Sequence, residues 1–375
     1  MLIGFLSHSD MSIFHFRLPI MRALKERGHK VYAIAPNGAY TKRIIKEFEC
    51  VHYDINRAST NPLRVGRDGL NLAKVLAPLH LDVLQCSAHK SNIFGLNAAK
   101  MLGIKHAFAL VEGLGSAYTS TSLGSKILRF GIETLYKSTL KNASACIFVN
   151  DADAKYFATK NLIQTEKIRK IKSVGVDASF FDPKISKPSK LLAKFSGKKI
   201  VLMMARALKD KGVREFYEAA NLLKARDDVQ FVFVGSEDKG NKNSLNNAFL
   251  DTNENVEYIA WSDEVAGLLR ACYIYVLPSY REGFARTILE AMSMGLACIS
   301  TDAPGCNESV IDAHTGLLCA LKDSADLARK IEILLDDEQK TAIFGANARK
   351  LVLQNYDQPI ITQKYLQVYG EFFDV

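Results

Sequence analysis

Two glutamates with seven residues between them, Glu282 and Glu290, bracket the stretch Gly283-Phe284-Ala285-Arg286-Thr287. Glu282 reads as a loop residue and Glu290 as part of the first turns of the helix that follows. Gly283 lets backbone approach a bound molecule closely, and the first amides of that helix, around residues 284–287, have no partner within it. Such a helix start favours a diphosphate, while each carboxylate can accept hydrogen bonds from sugar hydroxyls. Taken alone, Glu290 reads equally well as a first-turn glutamate that complements the helix dipole. Other polar groups stand in comparable places. Arg206 and then Lys209-Asp210-Lys211-Gly212 precede one helical pattern, and Ser87-Ala88-His89-Lys90 precedes another. A histidine, two fixed cations and two carboxylates have the make-up of a site for an anionic substrate.

These residues are positioned by a strand–helix alternation. Short apolar runs predict strands at residues 2–6, 31–35, 83–86, 106–111 and 146–149, and again at 200–205, 231–234, 274–277 and 297–300. Helical spacing occupies 18–27, 92–102, 213–224 and 324–335. Apolar, β-branched strands alternating with helices mean parallel sheets covered on both faces. Ligands of such sheets bind beyond the carboxyl ends of the strands, where His89, Arg206, Lys211 and Glu282 fall. The polar, proline-containing stretch 185–190 reads as a linker, and the strand pattern restarts after it. The expected class is α/β, with two doubly wound Rossmann-like domains facing across a cleft. They span 1–185 and 186–357, and a helical stretch over 358–375 completes the first.

A net charge of +9 conceals an asymmetry: residues 1–185 hold 26 Lys and Arg against 14 Asp and Glu, a net +12, so the remainder carries −3. The basic half favours an anionic partner, whether nucleic acid, a phosphorylated substrate or an acidic membrane face. A nucleic-acid groove would interleave its basic residues with exposed aromatics, a pattern not found here, so nucleic acid is set aside. No stretch approaches the ~20 apolar residues of a membrane span. The first eight residues lack a basic leader region and read as a strand. The seven cysteines are scattered, with no Cys-x-x-Cys pair, which argues against a disulfide framework and against a zinc site. A cytoplasmic protein is expected.

The block from Arg281-Glu282-Gly283-Phe284-Ala285 to Glu290-Ala291-Met292 and Gly295 resembles the E-x7-E signature of family 4 glycosyltransferases. Pro304-Gly305-Cys306-Asn307-Glu308 and Asp312-Ala313-His314-Thr315-Gly316 fit the segment that follows it, and Arg27-Gly28-His29 fits the end of the first helix. The resemblance spans essentially the whole chain. It implies a GT-B fold, retention of anomeric configuration, a UDP-sugar donor and no cofactor or metal. It also implies that Arg206 and Lys211 hold the donor diphosphate and that Glu290 binds the ribose hydroxyls. Glu282, with the amides of Gly283, Phe284 and Ala285, would hold the donor sugar, and His89 would lie beside its anomeric carbon. The expected catalytic pair is therefore His89 and Glu282. Two cations and helix amides can stabilise a departing diphosphate in place of a metal.

Motifs of the N-terminal half, His15-Phe16-Arg17-Leu18-Pro19, Asn56-Arg57-Ala58-Ser59-Thr60-Asn61-Pro62, Ala88-His89-Lys90-Ser91-Asn92 and Val111-Glu112-Gly113-Leu114-Gly115-Ser116, resemble members that extend sugars on polyprenyl diphosphate. This narrower resemblance implies N-acetylgalactosamine transfer in α-1,3 linkage to undecaprenyl-diphosphate-linked diacetylbacillosamine, in protein N-glycosylation. Arg17, Arg57, Lys90, Glu112 and Gly113 are expected on the acceptor side. A helix over 126–141 reads as a membrane contact: Leu128, Ile132, Leu135, Tyr136 and Leu140 form its core-facing stripe, and Lys126, Arg129, Lys137 and Lys141 face an anionic, cytoplasmic membrane surface. A solvated basic face is the plainer alternative. Asp151-Ala152-Asp153 has the D-x-D form of a metal site, but it opens a helix, where aspartate is an expected cap. Other readings are a lipopolysaccharide or capsule hexosyltransferase of the same family, a sugar-nucleotide epimerase or a phosphorylase.

Overall fold

A computed structural model describes residues 1–54, 62–239, 241 and 243–375. The chain forms two compact units, Met1–Val174 together with Pro359–Val375, and Gly175–Gln358. The first is built on β1 (Leu2–Ser7), β2 (Lys30–Ile34), β3 (Glu49–Val51), β4 (Val83–Ser87), β5 (His106–Val111), β6 (Ala145–Phe148) and β7 (Ile168–Lys170). The second contains β8 (Lys199–Met204), β9 (Val229–Val234), β10 (Val256–Ile259), β11 (Ile274–Leu277), β12 (Ala297–Thr301) and β13 (Gly316–Cys319).

The sheet orders are β3-β2-β1-β4-β5-β6-β7 and β10-β9-β8-β11-β12-β13, with every pair parallel. Counted from its own first strand, each sheet runs outward in one direction, then restarts beside that strand and runs in the other. This is the doubly wound order, and its ligand crevice lies where the direction reverses. Those points are the β1/β4 and β8/β11 neighbours. The central strands are buried almost throughout, because helices cover both faces.

Four strands, β3, β7, β10 and β13, lie outside the apolar runs. Each is the edge strand of its sheet, and three of them are half-buried along most of their length. An edge is not covered like a centre, so it needs no continuous apolar run. The polar stretch 185–190 is likewise not a free linker. Ser189 lies inside the second unit, where its amide donates to the carbonyl of Gly267 and its hydroxyl to Glu264 at 2.6 Å. The division of the chain falls earlier, after Val174. There Val176 pairs with the returning chain through Val176 N to Tyr356 O and Gln358 N to Val176 O.

The final helix, Gln358–Gly370, belongs to the first unit and brings two buried tyrosines to it. The Tyr369 hydroxyl donates to Gln85 Oε1 at 2.8 Å, and its ring meets Phe108 at 5.1 Å. Tyr369→Ala removes a fully buried ring and should cost about 3–5 kcal/mol, the scale for large aromatics. Trp261→Ala, on the surface at 68% exposure, should change stability by no more than about 0.5 kcal/mol. Urea denaturation of the two variants beside the parent checks the contrast.

Candidate active site

In the second unit the polar residues stand on the loops after β8 and β11, the two strands that meet at the switch point. The chain leaves β8 at Arg206 and turns through Lys209–Lys211 into the helix Val213–Leu222. Gly212 makes this turn possible. It has φ +75°, and a Cβ there would lie 2.0 Å from the carbonyl oxygen of Pro278, a conformation and an approach open to glycine alone. Two bonds lock the loops together: the Tyr280 amide and the Ser279 hydroxyl both donate to the Asp210 carbonyl, at 2.8 and 3.1 Å. The Lys211 ammonium is thereby held 2.5 Å from Glu282 Oε1.

Glu282 is also fixed from below. Its amide donates to the Pro304 carbonyl at 3.1 Å, and Gly305, with φ +76°, packs so closely that a Cβ would lie 2.0 Å from the Glu282 carbonyl oxygen. The helix Arg286–Ser293 starts at Ala285 without a side-chain cap, and the positive end of a helix favours an anion. Phe284 and Ala285 are buried, with the Phe284 ring against Tyr356 at 5.2 Å. Only their backbone can address a ligand. Glu290 is buried, and Arg286 Nε donates to it at 2.9 Å. Burial pushes the Glu290 carboxyl above its usual range, and Arg286 pulls it back. Arg206 stands further out, 62% exposed and 2.7 Å from Asp238.

In the first unit His89 opens the helix His89–Leu102 directly after β4. Ala88 makes the corner with φ +73°, a conformation that non-glycine residues keep only where the surroundings impose it. Both ring nitrogens of His89 are engaged, Nδ1 with the Tyr136 hydroxyl at 2.8 Å and Nε2 with the Leu114 carbonyl at 3.1 Å. Burial lowers the pKa of the ring, which keeps it neutral. Lys90 is half-buried beside it. Glu112 and Gly113 follow β5, and Gly113 has φ +130°.

Several expectations change here. Arg17 is not presented to an acceptor. It is 1% exposed and ion-paired with Glu112, and it donates to the Tyr365 hydroxyl at 3.3 Å. Burial works against its charge, but Glu112 and the two tyrosines more than offset that. Arg57 lies outside the described residues. Arg129 faces inward, donating to the carbonyls of Ala117 and Ser120 with its guanidinium over the Tyr118 ring. The expected core stripe of that helix, Leu123–Thr139, is shorter than its spacing suggests: Tyr136 and Leu140 are buried, whereas Leu128 and Leu135 are exposed. Asn150, not an aspartate, caps the next helix by accepting from the Asp153 amide at 2.6 Å. Asp151 is paired with Lys170 and Lys172.

A glycosyl transferases group 1 model matches residues 186–351. The chain is 43% identical, over 98% of both chains, to the N,N'-diacetylbacillosaminyl-diphospho-undecaprenol alpha-1,3-N-acetylgalactosaminyltransferase of Campylobacter jejuni. The chain belongs to the group 1 glycosyltransferases. It is 24% identical, over 94% of each chain, to an Escherichia coli UDP-Gal:alpha-D-GlcNAc-diphosphoundecaprenol alpha-1,3-galactosyltransferase. Among solved structures, Anabaena HepE in complex with UDP-glucose matches with a TM-score of 0.78 at 19% identity, covering 98% of this chain and 99% of that one. A glycosyltransferase from Rickettsia africae matches equally well, at 21% identity. The fold of this glycosyltransferase is GT-B.

Three partners of residues expected from the sequence in the glycosyltransferase's site carry no signal along the chain: Asp238 for Arg206, Tyr365 for Arg17 and Tyr136 for His89. All come from distant segments and meet their partners only in the fold. Arg286, four residues before Glu290 on one helix, was legible from spacing alone. Gly305→Ala should displace the Glu282 loop, because the new methyl meets backbone at a φ that alanine resists. Calorimetric titration with a UDP-sugar should show donor affinity reduced at least tenfold, and an unchanged Kd would show that Gly305 does not support the site.

Proposed function

We propose that this glycosyltransferase moves N-acetylgalactosamine from its UDP derivative, with retention, in α-1,3 linkage to diacetylbacillosamine carried on undecaprenyl diphosphate, in protein N-glycosylation. The observation that carries this reading is the 43% identity over 98% of both chains to the Campylobacter enzyme of that name. Lys211, Arg206 and the N-terminus of the helix Arg286–Ser293 take the donor diphosphate. Glu282 and the backbone of Gly283, Phe284 and Ala285 hold sugar hydroxyls, Glu290 accepts from the ribose, and His89 contacts the sugar being transferred. The acceptor oxygen bonds to the anomeric carbon on the face from which the diphosphate departs, the bond from that carbon to the diphosphate breaks, and the acceptor's proton passes to a diphosphate oxygen. No side chain is assigned as a covalent nucleophile.

Fixed cations take the place of a metal in this reading. The D-x-D sequence supports it, because Asp151 is paired with two lysines. Lys90, Glu112 and Gly113 remain assigned to the acceptor side, with Arg17 holding Glu112 in place. With a panel of UDP-sugars and polyprenyl-diphosphate sugars, linkage analysis should find α-1,3-linked N-acetylgalactosamine, and preference for another sugar or linkage would redirect the assignment. Turnover should persist in EDTA. Lys211→Ala should cost about 2–4 kcal/mol of transition-state stabilisation, the scale for removing one electrostatic donor. Metal-dependent turnover would overturn the metal-free part.

The acceptor's lipid calls for a membrane surface, and the helix Leu123–Thr139 supports one. Leu123, Ile127 and Phe130 are 74%, 64% and 72% exposed, with Lys126 and Lys137 exposed on the same helix and Lys141 just beyond it. Apolar side chains beside lysines suit an anionic bilayer at the cytoplasmic face. No described helix is long and apolar enough to cross a membrane. Replacing Leu123, Ile127 and Phe130 by serine should abolish sedimentation with phosphatidylglycerol vesicles while transfer to a short-chain soluble acceptor persists. Vesicle binding that survives this triple change would place the membrane contact elsewhere.

A further inference from the structure

His89 sits at the end of a directional chain of hydrogen bonds that runs from Asn92 through Tyr136. Asn92 fixes the direction. Its Oδ1 accepts from the Leu110 amide at 3.2 Å and its Nδ2 donates to the Leu110 carbonyl at 2.8 Å, so the amide has one orientation only. The same Nδ2 lies 3.4 Å from the Tyr136 hydroxyl, which must act there as acceptor. Tyr136 is fully buried, and burial raises its pKa, which keeps the phenol protonated. The hydroxyl lies 2.8 Å from His89 Nδ1. On the far side of the ring, Nε2 faces the Leu114 carbonyl, a pure acceptor, at 3.1 Å. A neutral imidazole carries one proton, and this arrangement assigns it to Nε2.

We propose that Tyr136, itself oriented by Asn92, is a positioning residue that holds His89 as the neutral Nε2–H tautomer. His89 then presents a hydrogen-bond donor to an oxygen of the transferred sugar and cannot serve as a base at Nε2. This rests on the reading that His89 contacts the sugar. The Leu114 carbonyl occupies the donor in the structure described, and a sugar oxygen is the class of atom that can share or replace it. Because Nδ1 is committed to Tyr136 and Nε2 bears a proton, the acceptor's proton has no route to this ring. That agrees with its transfer to the departing diphosphate. Among groups acting on the ring, burial pushes its pKa down, while Asp153 and the Leu114 contact pull it up. The Tyr136 bond favours the neutral form, because it needs a bare Nδ1.

Tyr136→Phe tests this in the full-length enzyme. The phenol ring packs edge-on against His89 at 5.6 Å and Phe157 at 5.1 Å. Phenylalanine keeps those contacts, and Asn92 keeps Leu110. Long-range proton–nitrogen correlation on ¹⁵N-histidine protein should show His89 wholly as the Nε2–H tautomer in the parent. In Tyr136→Phe it should show a mixture of tautomers and a higher midpoint of ring titration. kcat should fall about tenfold, the scale of one lost hydrogen bond, with KM for the donor little changed. 3-Fluorotyrosine at 136, a stronger donor, should retain both the tautomer and the rate, and it serves as the working variant if phenylalanine impairs folding. An unaltered tautomer and titration in Tyr136→Phe, or a 3-fluorotyrosine enzyme whose ring matches a Tyr136→Phe mixture, would overturn the proposal. If the tautomer shifts while His89→Ala turns over at the parent rate, the positioning stands and the contact of His89 with the sugar falls.

Discussion

A parallel sheet covered on both faces has almost nowhere to put a polar side chain except at its ends. Along the faces of β1, β4, β8 and β11 nearly every residue is buried, and an unpaired polar group there would cost more than it contributes. The carboxyl ends differ. Each strand hands over to a turn and then to a helix, whose first amides seek an acceptor. The order of strands decides which of these ends stand side by side. In the second unit the switch point brings together the loops that carry Arg206, Lys211 and Glu282; in the first it brings together the strand ends that lead into the helical segments holding Arg17 and His89.

Every charged residue described in the donor constellation already has a partner. Lys211 meets Glu282, Arg286 meets Glu290, and Arg206 meets Asp238. Lys211, Glu282, Arg286 and Glu290 are largely buried, where desolvation penalises a lone charge far more than a paired one, whereas Arg206 is exposed. The pairs fix where these side chains stand. Gly212 and Gly305 serve the same end. Each lets one loop's backbone lie directly against another's, and the carboxylate between them inherits the rigidity of two strand ends.

The helix Leu123–Thr139 joins two kinds of surface. One side carries Tyr136 into the core beside His89; the other leaves Leu123, Ile127 and Phe130 in the open. The protein itself does not cover these three side chains. The residue that orients the histidine and the residues proposed to meet the lipid therefore share one rigid rod.

The sequence by itself determined the central strands, the doubly wound class, the E-x7-E block and the positions of His89 and Lys211, because each rests on local periodicity or on residues close in the chain. Three edge strands, β3, β7 and β10, escaped, since a half-covered strand needs no apolar run. The direction of a long side chain escaped as well. Arg17 and Arg129 read as surface cations, yet one is buried against Glu112 and Tyr365 and the other folds back on the carbonyls of Ala117 and Ser120. Only tertiary structure could decide this, because their partners lie on other segments, and a guanidinium goes wherever acceptors happen to converge. The same holds for the tautomer of His89. Its residue type is written in the sequence, but the atom that carries its proton is set by Tyr136, forty-seven residues away in the chain.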